Sequence, residues 1–127
     1  MRDSHPLVID GQTMGFAKGV IAEGRFVFVS GVTGRGDTMG DQAESCWATI
    51  KLRLEELGGK MENVVQRMTF VTDMSAWQSE GQARQRAWMQ ANCPSLIENP
   101  PAGTLIGCVA LAQPEYKVEV QVIAVLD

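Results

Sequence analysis

Three segments of the chain carry apolar residues at both alternating sets of positions of a β-strand. They read "RFVFV" at residues 25–29, "TLIGCVAL" at 104–111 and "KVEVQVIAV" at 117–125. Because successive side chains of a strand point to opposite faces of the sheet, Phe26 and Phe28 share one face and Val27 lies on the other. A sheet that is apolar on both faces must be covered on both. This requirement limits the chain to folds in which each face of the sheet is packed against something.

The order of strand, turn and helix signals predicts the arrangement ββαβαββ. The predicted strands are residues 16–22, 25–30, 64–72, 104–111 and 117–125. The dipeptide Glu23-Gly24 predicts a tight hairpin between the first two strands, and "AQPEY" predicts a turn that makes a second hairpin of the last two. We therefore predict one α+β domain over residues 1–127, with two helices on one face of a mixed sheet.

The two helices are predicted from cap residues and from apolar residues at steps of three and four. The first begins at Asp41, with Glu44 in capping-box position, and ends at Gly58-Gly59. Its apolar stripe comprises Ala43, Cys46, Trp47, Ile50, Leu54 and Leu57. The second begins at Ser75 and continues to Pro94. Its apolar positions are Trp77, Ala83, Ala87, Trp88 and Ala91.

The second face of the predicted sheet has no further segment of the chain to cover it. Val118, Val120 and Val122 fall on one face of the last strand, whereas Ile123 and Val125 fall on the other. Another copy of the same chain is the economical cover for the second face. We therefore predict an obligate homo-oligomer with binding sites at subunit boundaries.

Composition and charge exclude several classes of function. The net charge is −4, with 15 acidic and 11 basic residues, which argues against nucleic acid as a partner. Three cysteines without a C-x-x-C spacing are typical of reduced thiols, and the absence of a long apolar segment argues against a membrane span, so we expect a cytoplasmic protein. His5 is the only histidine, which argues against a Ser/His/Asp triad and against a histidine metal site.

Glu119 is the first candidate catalytic residue. It lies between Val118 and Val120 in the last predicted strand. A carboxylate in apolar surroundings requires a partner, a water molecule or a raised pKa, and such a group can act as a general base or position a water molecule. The alternative is a glutamate that is salt-bridged at a sheet edge or solvated at the rim of an interface.

The stretch "ENPPAGTLIGCVAL" at residues 98–111 predicts a rigid wall of a binding site. Pro100 and Pro101 fix the backbone before the strand, and Gly103 allows another group to approach the main chain closely. Backbone N–H groups at 103–105 could then hold a small polar ligand; the alternative is a simple tight turn into the strand. Ser30-Gly31 ends its strand in a similar way.

Five motifs in this order resemble the Rid family, which is also called YjgF or L-PSP. They are "FVFVSG", "LEELGGKMENVVQRMTFVTDM", "PPAGTLIGCVAL" and "VEVQVIAV", together with the element order, and the resemblance spans about residues 14 to 126. It implies a chorismate-mutase-like fold that assembles as a homotrimer with ligand clefts between subunits. It also implies hydrolysis of reactive enamines and imines to 2-oxo acids and ammonia, without a metal or an organic cofactor.

The resemblance assigns roles to several residues of this chain. Glu119 matches the family glutamate that positions the attacking water, Phe16 falls at a cleft tyrosine, and Gly31, with Ser30, keeps the "SG" backbone. Gly103 stands where deaminase members carry the arginine that binds the substrate carboxylate, and Leu105 stands where many members carry a cysteine.

The missing arginine leaves two expectations open for the binding site. Thr104 lies with Gly103 and Leu105 in the predicted substrate-binding wall. A substrate without a carboxylate is one expectation, because Gly103 removes the charged anchor and opens space. The other is that Arg84 reaches the cleft from the second helix and replaces the anchor; otherwise Arg84 is a surface ion-pair residue.

The sequence thus predicts a Rid-like hydrolase that acts on a reactive imine, enamine or related labile intermediate. The predicted catalytic residue is Glu119. The predicted substrate-binding residues are Phe16, Ser30, Gly31, Arg84, Gly103, Thr104 and Leu105. A non-catalytic protein that binds a small metabolite in the same cleft is the alternative, and an endoribonuclease is a third hypothesis that the negative net charge opposes.

Overall fold

Six β-strands form two sheets in the computed structural model, which describes residues 1–127. The strands are β1 (Arg2–Ile9), β2 (Gln12–Ala22), β3 (Arg25–Thr33), β4 (Val64–Val71), β5 (Ala102–Gly107) and β6 (Val118–Leu126). Strands β1 and β2 form an antiparallel pair, and the other four form a sheet in the order β3-β6-β4-β5. Strand β4 is parallel to β5 and antiparallel to β6, so the predicted α+β class with a mixed sheet is confirmed.

Strand β1 is absent from the predicted element order. It joins β2 through Asp10 and Gly11, whose φ angles of 50° and 79° are both in the left-handed region. Two such residues form the tight turn that matches the twist of a β-hairpin, and Asp-Gly is one of its strongest sequence signals. The "IDGQ" segment therefore carried the information for this hairpin.

Both predicted hairpins are wrong. Strand β2 pairs with β1 rather than β3, and β3 pairs with β6, where Phe26 lies opposite Val125. Strands β5 and β6 are not neighbours, because β4 lies between them. The segment between β5 and β6 passes the end of β4 and is bound there by two hydrogen bonds. The Cys108 amide donates to the Val71 carbonyl at 2.9 Å, and the Thr72 amide donates to the Lys117 carbonyl at 3.0 Å.

The helices begin earlier than predicted because other residues cap them. They are α1 (Met39–Glu56), α2 (Met74–Ala76), α3 (Gln82–Asn92) and α4 (Ser95–Glu98), and a π-helical turn (Trp77–Gly81) joins α2 to α3. The Thr38 hydroxyl accepts a hydrogen bond from the Asp41 amide at 3.1 Å, and the Asp73 carboxylate accepts one from the Ala76 amide at the same distance. Asp41 and Ser75 therefore lie inside the helices rather than at their N-caps.

The buried face of α3 also differs from the prediction. Trp77, Gly81, Gln85 and Met89 point inward, whereas Ala83, Ala87 and Ala91 are exposed. The π-helical turn widens the helix by one residue and changes which positions face the core.

The core lies between the helices and one face of the four-stranded sheet. All predicted stripe residues of α1 are buried except Leu57, which is exposed beyond the end of the helix. The opposite face of the sheet is uncovered within the chain, and Phe26 and Phe28 are 61% and 70% exposed there. No helix combines the length and the apolar composition that crossing a membrane requires.

Candidate functional site

The structure separates most of the predicted site residues into two groups on opposite faces of the four-stranded sheet. Directly paired residues share a face of a sheet. Gly103 of β5 pairs with Arg67 of β4, which pairs with Val122 on the helix-covered face. Glu119 pairs with Phe70 and Thr33, on the uncovered face. One chain therefore does not bring Glu119 together with Gly103.

The first group lines a cavity of about 420 Å³ between the helices and strands β2, β4 and β5. We call it the arginine cavity, because Arg67 and Arg86 line it and no aspartate or glutamate does. The predicted residues that line it are Phe16, Gly103, Thr104 and Leu105. The rest of its wall is mixed: Trp77, Met89, Leu96 and Ile97 supply apolar surface, and Thr69, Gln82 and Gln85 supply polar groups.

Arg67 is a functional candidate that the sequence reasoning missed. Its Nη2 donates a hydrogen bond to the Gly15 carbonyl at 3.1 Å, which fixes the guanidinium beside β2. Burial lowers the pKa of this guanidinium, but an arginine stays charged at neutral pH. The signal in the sequence was a lone charge inside the β-rich stretch "VVQRMTFV".

The arginine cavity has a rigid inner wall. Gln85 lines the cavity from α3 and is almost completely buried. Its Oε1 accepts a hydrogen bond of 2.8 Å from the indole Nε1 of Trp47 in α1. This buried pair fixes α3 against α1 and thereby holds the helical side of the cavity in position.

The second group lies around Glu119 and Gly31 on the uncovered face, and we call it the glutamate face. Gly31 and Ser30 fall where the pairing of β3 with β6 shifts register, between Val29 and Val32. Glu119 is half-buried, and its carboxylate lies directly over Gly31, where a methyl group would overlap Oε2. It forms no ion pair within the chain.

A second cavity, of about 490 Å³, adjoins the glutamate face. Ser30, Gly31 and Thr33 line it from β3, and Thr49 and Arg53 line it from α1. The cavity thus lies at the edge of β3, between Ser30-Gly31 and α1, and offers hydroxyl groups and free space beside the backbone over which Glu119 lies.

Arg84 belongs to neither group. Its Nε donates to Glu44 at 3.0 Å, and its Nη2 donates to Asp41 at 2.9 Å. The hydrogen bond from Arg84 also lowers the pKa of the Asp41 carboxyl. These contacts to α1 correspond to the surface ion-pair alternative and hold the guanidinium away from the arginine cavity.

The cysteines are not placed for nucleophilic chemistry. Cys46 and Cys93 are buried, and all three cysteines are free thiols. Burial, with a smaller contribution from the negative charge of Glu119, raises the pKa of the Cys46 thiol to about 12. No group of three or more His, Cys, Asp or Glu side chains is arranged to hold a metal ion.

Comparisons with known proteins agree with this architecture. Residues 12–126 match the family model of endoribonuclease L-PSP. Rv2704 from Mycobacterium tuberculosis, a member of the YjgF/YER057c/UK114 family, is 25% identical, covers 99% of this chain and 100% of its own, and superposes with a TM-score of 0.70. YyfB from Yersinia pestis, of the Rid family, is also 25% identical, over 96% and 99% of the two chains, with a TM-score of 0.74.

A third solved structure extends the similarity. NMB1025 from Neisseria meningitidis, of the YjgF family, is 26% identical over 98% of this chain and 94% of its own, with a TM-score of 0.68. A comparison with curated proteins gave no match. The family model spans nearly the whole chain, and the chain therefore belongs to the endoribonuclease L-PSP family, the family of the Rid and YjgF proteins.

Proposed function

We propose that the protein is a Rid-like hydrolase that converts a reactive imine or enamine to its carbonyl product and ammonia. The observation that carries this proposal is the Glu119 carboxylate, which is half-buried over Gly31 and has no ion-pair partner in its chain. Such a carboxylate can hold a water molecule and accept its proton.

The chemistry requires only water and groups of the protein. The water oxygen bonds to the imine carbon while Glu119 takes the proton of that water. Glu119 passes this proton to the imine nitrogen, which gives a carbinolamine, and an enamine enters the same route after tautomerising to the imine. The hydroxyl proton of the carbinolamine then moves to the nitrogen as the C–N bond breaks and the C=O bond forms, so that the products are one carbonyl compound and one ammonia. Backbone groups near Gly31 and at 103–105 hydrogen-bond the leaving nitrogen or the developing oxygen. No metal or organic cofactor takes part in this proposal.

The proposed site forms between two copies of the chain in a homotrimer. Members of this family typically form oligomers. Within one chain the arginine cavity and the glutamate face lie on opposite sides of the sheet. The exposed Phe26 and Phe28 adjoin the glutamate face and favour burial against a second copy. That copy would bring its arginine cavity to the Glu119 of the first.

The test is an imine-hydrolysis assay with imines generated in situ, both from amino acids and from amines without a carboxylate. Faster release of the carbonyl product by the wild type would support the hydrolase. We expect Glu119→Gln to lower kcat/KM by about 100-fold or more, because general-base catalysis contributes on that scale.

Two glycine variants make the assay specific for the position of Glu119. Gly31→Ala would push the carboxylate from its place, and we expect a loss of about 10- to 100-fold in kcat/KM from this displacement. Gly19→Ala is the control, since a methyl group at position 19 meets no other atom within 4 Å. Full activity of Glu119→Gln in a correctly assembled protein would contradict the proposed role.

A non-catalytic protein that binds a small metabolite is the second candidate. The apolar wall of the arginine cavity supports it, because such a wall binds ligands without requiring a reaction. Tight reversible binding with no turnover of any imine would favour this candidate. The family description names an endoribonuclease, but the net charge of −4 argues against RNA as a substrate. RNA cleavage that remains after the protein has been purified would support this activity.

A further inference from the structure

We propose that Arg67 is the anion-binding residue of the arginine cavity, and that the ligand of this cavity is a small organic acid with an apolar body and one carboxylate. The proposal names the ligand class of the site and rests on the proposed function only in treating that ligand as a substrate. It reverses the sequence-based expectation that a site without an arginine at position 103 binds an uncharged ligand.

The charge balance of the cavity is the first step of the argument. Arg67 and Arg86 are its charged lining residues, and no acidic side chain lines it. Neither arginine forms an ion pair with any acidic residue of the chain. A chain with 15 acidic residues thus leaves two guanidinium groups without an acidic partner at one cavity, which favours an anionic ligand.

The environment of Arg67 makes it the stronger anchor of the two. One N–H of its guanidinium is used by the Gly15 carbonyl, which orients the group and leaves its other donors for a ligand. The Arg67 side chain is half-buried, which reduces the competition of water for its donors and strengthens a charge-assisted hydrogen bond. Arg86 lies on the exposed side of α3 and can add only a screened attraction at the rim.

Gly103 makes the space that the Arg67 side chain uses. The two residues are direct partners in the β4–β5 pairing. A Cβ at position 103 would lie 3.2 Å from Nε and 3.4 Å from Cγ of Arg67, and 3.4 Å from Cβ of Phe16. A larger residue at 103 would therefore displace Arg67. The lack of a side chain at position 103 on β5 therefore allows the arginine at position 67 on β4 to occupy this space.

The apolar wall defines the other end of the ligand. Trp77, Met89, Leu96 and Ile97 line the cavity, and a charged or strongly polar group against them would lose its hydration. A volume of about 420 Å³ accommodates a compact branched or aromatic acid. A single half-buried guanidinium balances the one charge of a carboxylate, whereas a phosphate carries more negative charge than it can neutralise, which favours a carboxylate.

The experiment compares 4-methylpentanoate with 4-methylpentanamide, which have nearly the same shape and differ in charge. Binding is followed by NMR titration of the intact protein, so that the result does not depend on turnover. We expect the acid to bind the wild type more tightly than the amide. We expect Arg67→Gln to lower the affinity for the acid by about tenfold or more and the affinity for the amide by less than about twofold, since the lost interaction is a charge-assisted hydrogen bond.

Two further variants separate Arg67 from charge in general. Arg84→Gln removes an arginine that is bound to Glu44 and Asp41 outside the cavity, and we expect no change in the affinity for the acid. Lys51→Gln should also leave this affinity unchanged, since Lys51 is paired with Glu55 on the surface of α1 and lines neither cavity. Binding of the acid that depends on Arg67 would therefore support the anchor even if the protein hydrolysed no imine.

The proposal is overturned by any of three results in protein that retains its thermal unfolding midpoint. The first is equal affinity of the wild type for the acid and the amide. The second is a loss of acid binding that is the same in Arg67→Gln and Arg84→Gln. The third is tighter binding of inorganic phosphate than of 4-methylpentanoate.

Discussion

The Cys46 thiol lies in the core between α1 and the sheet and donates a hydrogen bond to the Val32 carbonyl at 3.2 Å. Its pKa is raised from 9.0 to about 12, mainly by burial. Between these values the unfolded thiol ionises and the folded thiol does not. The unfolded state then binds fewer protons, so the stability supplied by the neutral thiol is complete below pH 9 and is lost as the pH rises toward 12.

This titration gives a stability difference that can be measured. Between pH 7 and pH 10 the wild type should lose about 1.4 kcal/mol of unfolding free energy through Cys46 alone. Cys46→Ala should be less stable than the wild type at both pH values, because it lacks a buried sulfur. Its unfolding free energy should, however, fall by about 1.4 kcal/mol less than that of the wild type between pH 7 and pH 10. Urea unfolding at the two pH values checks this, and an identical decline in both proteins would contradict the shifted pKa.

Single residues of the candidate site differ in how far the sequence reveals them. Glu119 and Gly31 stand out because a carboxylate and a bare backbone position interrupt apolar strands. Arg67 does not, because its role depends on the pairing of β4 with β5, which places it beside Gly103. Arg84 has the same chemistry as Arg67, and only its position next to the acidic residues of α1 removes it from the cavity.

At the scale of secondary-structure elements, α1 meets the π-helical turn at two glycines. Gly40 is the second residue of α1 and donates its N–H to the Glu80 carboxylate at 2.6 Å, and Gly81 ends the turn. A methyl group on Gly81 would lie 2.7 Å from Cγ of Met39 and 2.8 Å from Cε3 of Trp77, closer than packed carbon atoms allow. The absence of a side chain at position 81 therefore lets α1 and the turn approach closely.

Gly81→Ala separates this packing effect from helix propensity. Propensity alone would stabilise the protein by about 1 kcal/mol. Overpacking against Met39 and Trp77 should instead destabilise it by about 1 to 3 kcal/mol, so the two effects have opposite signs. Chemical denaturation of the variant and the wild type decides between them, and a more stable variant would exclude close packing at this glycine.

Apart from β1, elements with local signals were predicted, and the pairings between distant elements were not. Apolar spacing identified α1 within two residues, because it is a property of neighbouring side chains, although Thr38 rather than Asp41 caps the helix. The π-helical turn has no such signal, and it rotated the predicted alanine face of α3 into solvent. The partners of β2 and β3 depend on segments far along the chain, so a plausible Glu23-Gly24 turn led to a wrong hairpin.

At the scale of the whole molecule, the uncovered sheet face agrees with the two-sided apolar strands of the sequence. Phe26 and Phe28 are exposed there, with their ring centroids 6.1 Å apart. Exposed aromatic pairs of this kind favour association with another surface. The homotrimer itself stays a prediction, and with it the proposal that each site combines the arginine cavity of one copy with the glutamate face of the next.

Mixing two inactive variants tests this shared site. Glu119→Gln disables the glutamate face, and Gly103→Leu fills space in the arginine cavity beside Arg67. Each variant alone should be inactive. In trimers assembled from equal amounts of both, about a quarter of the sites should combine an intact cavity with an intact glutamate face from the neighbouring copy.

Imine hydrolysis by the co-expressed variants should therefore recover to about a quarter of the wild-type rate. If both halves of each site came from one chain, no mixed trimer could contain an intact site and no activity would return. A mixture of the two variants assembled separately is the control, since it contains the same chains without shared interfaces. Recovery only after co-assembly would establish that the two faces of the sheet act together across a subunit boundary. A shared site of this kind explains why Glu119 and Gly103 lie on opposite faces of the sheet within one chain.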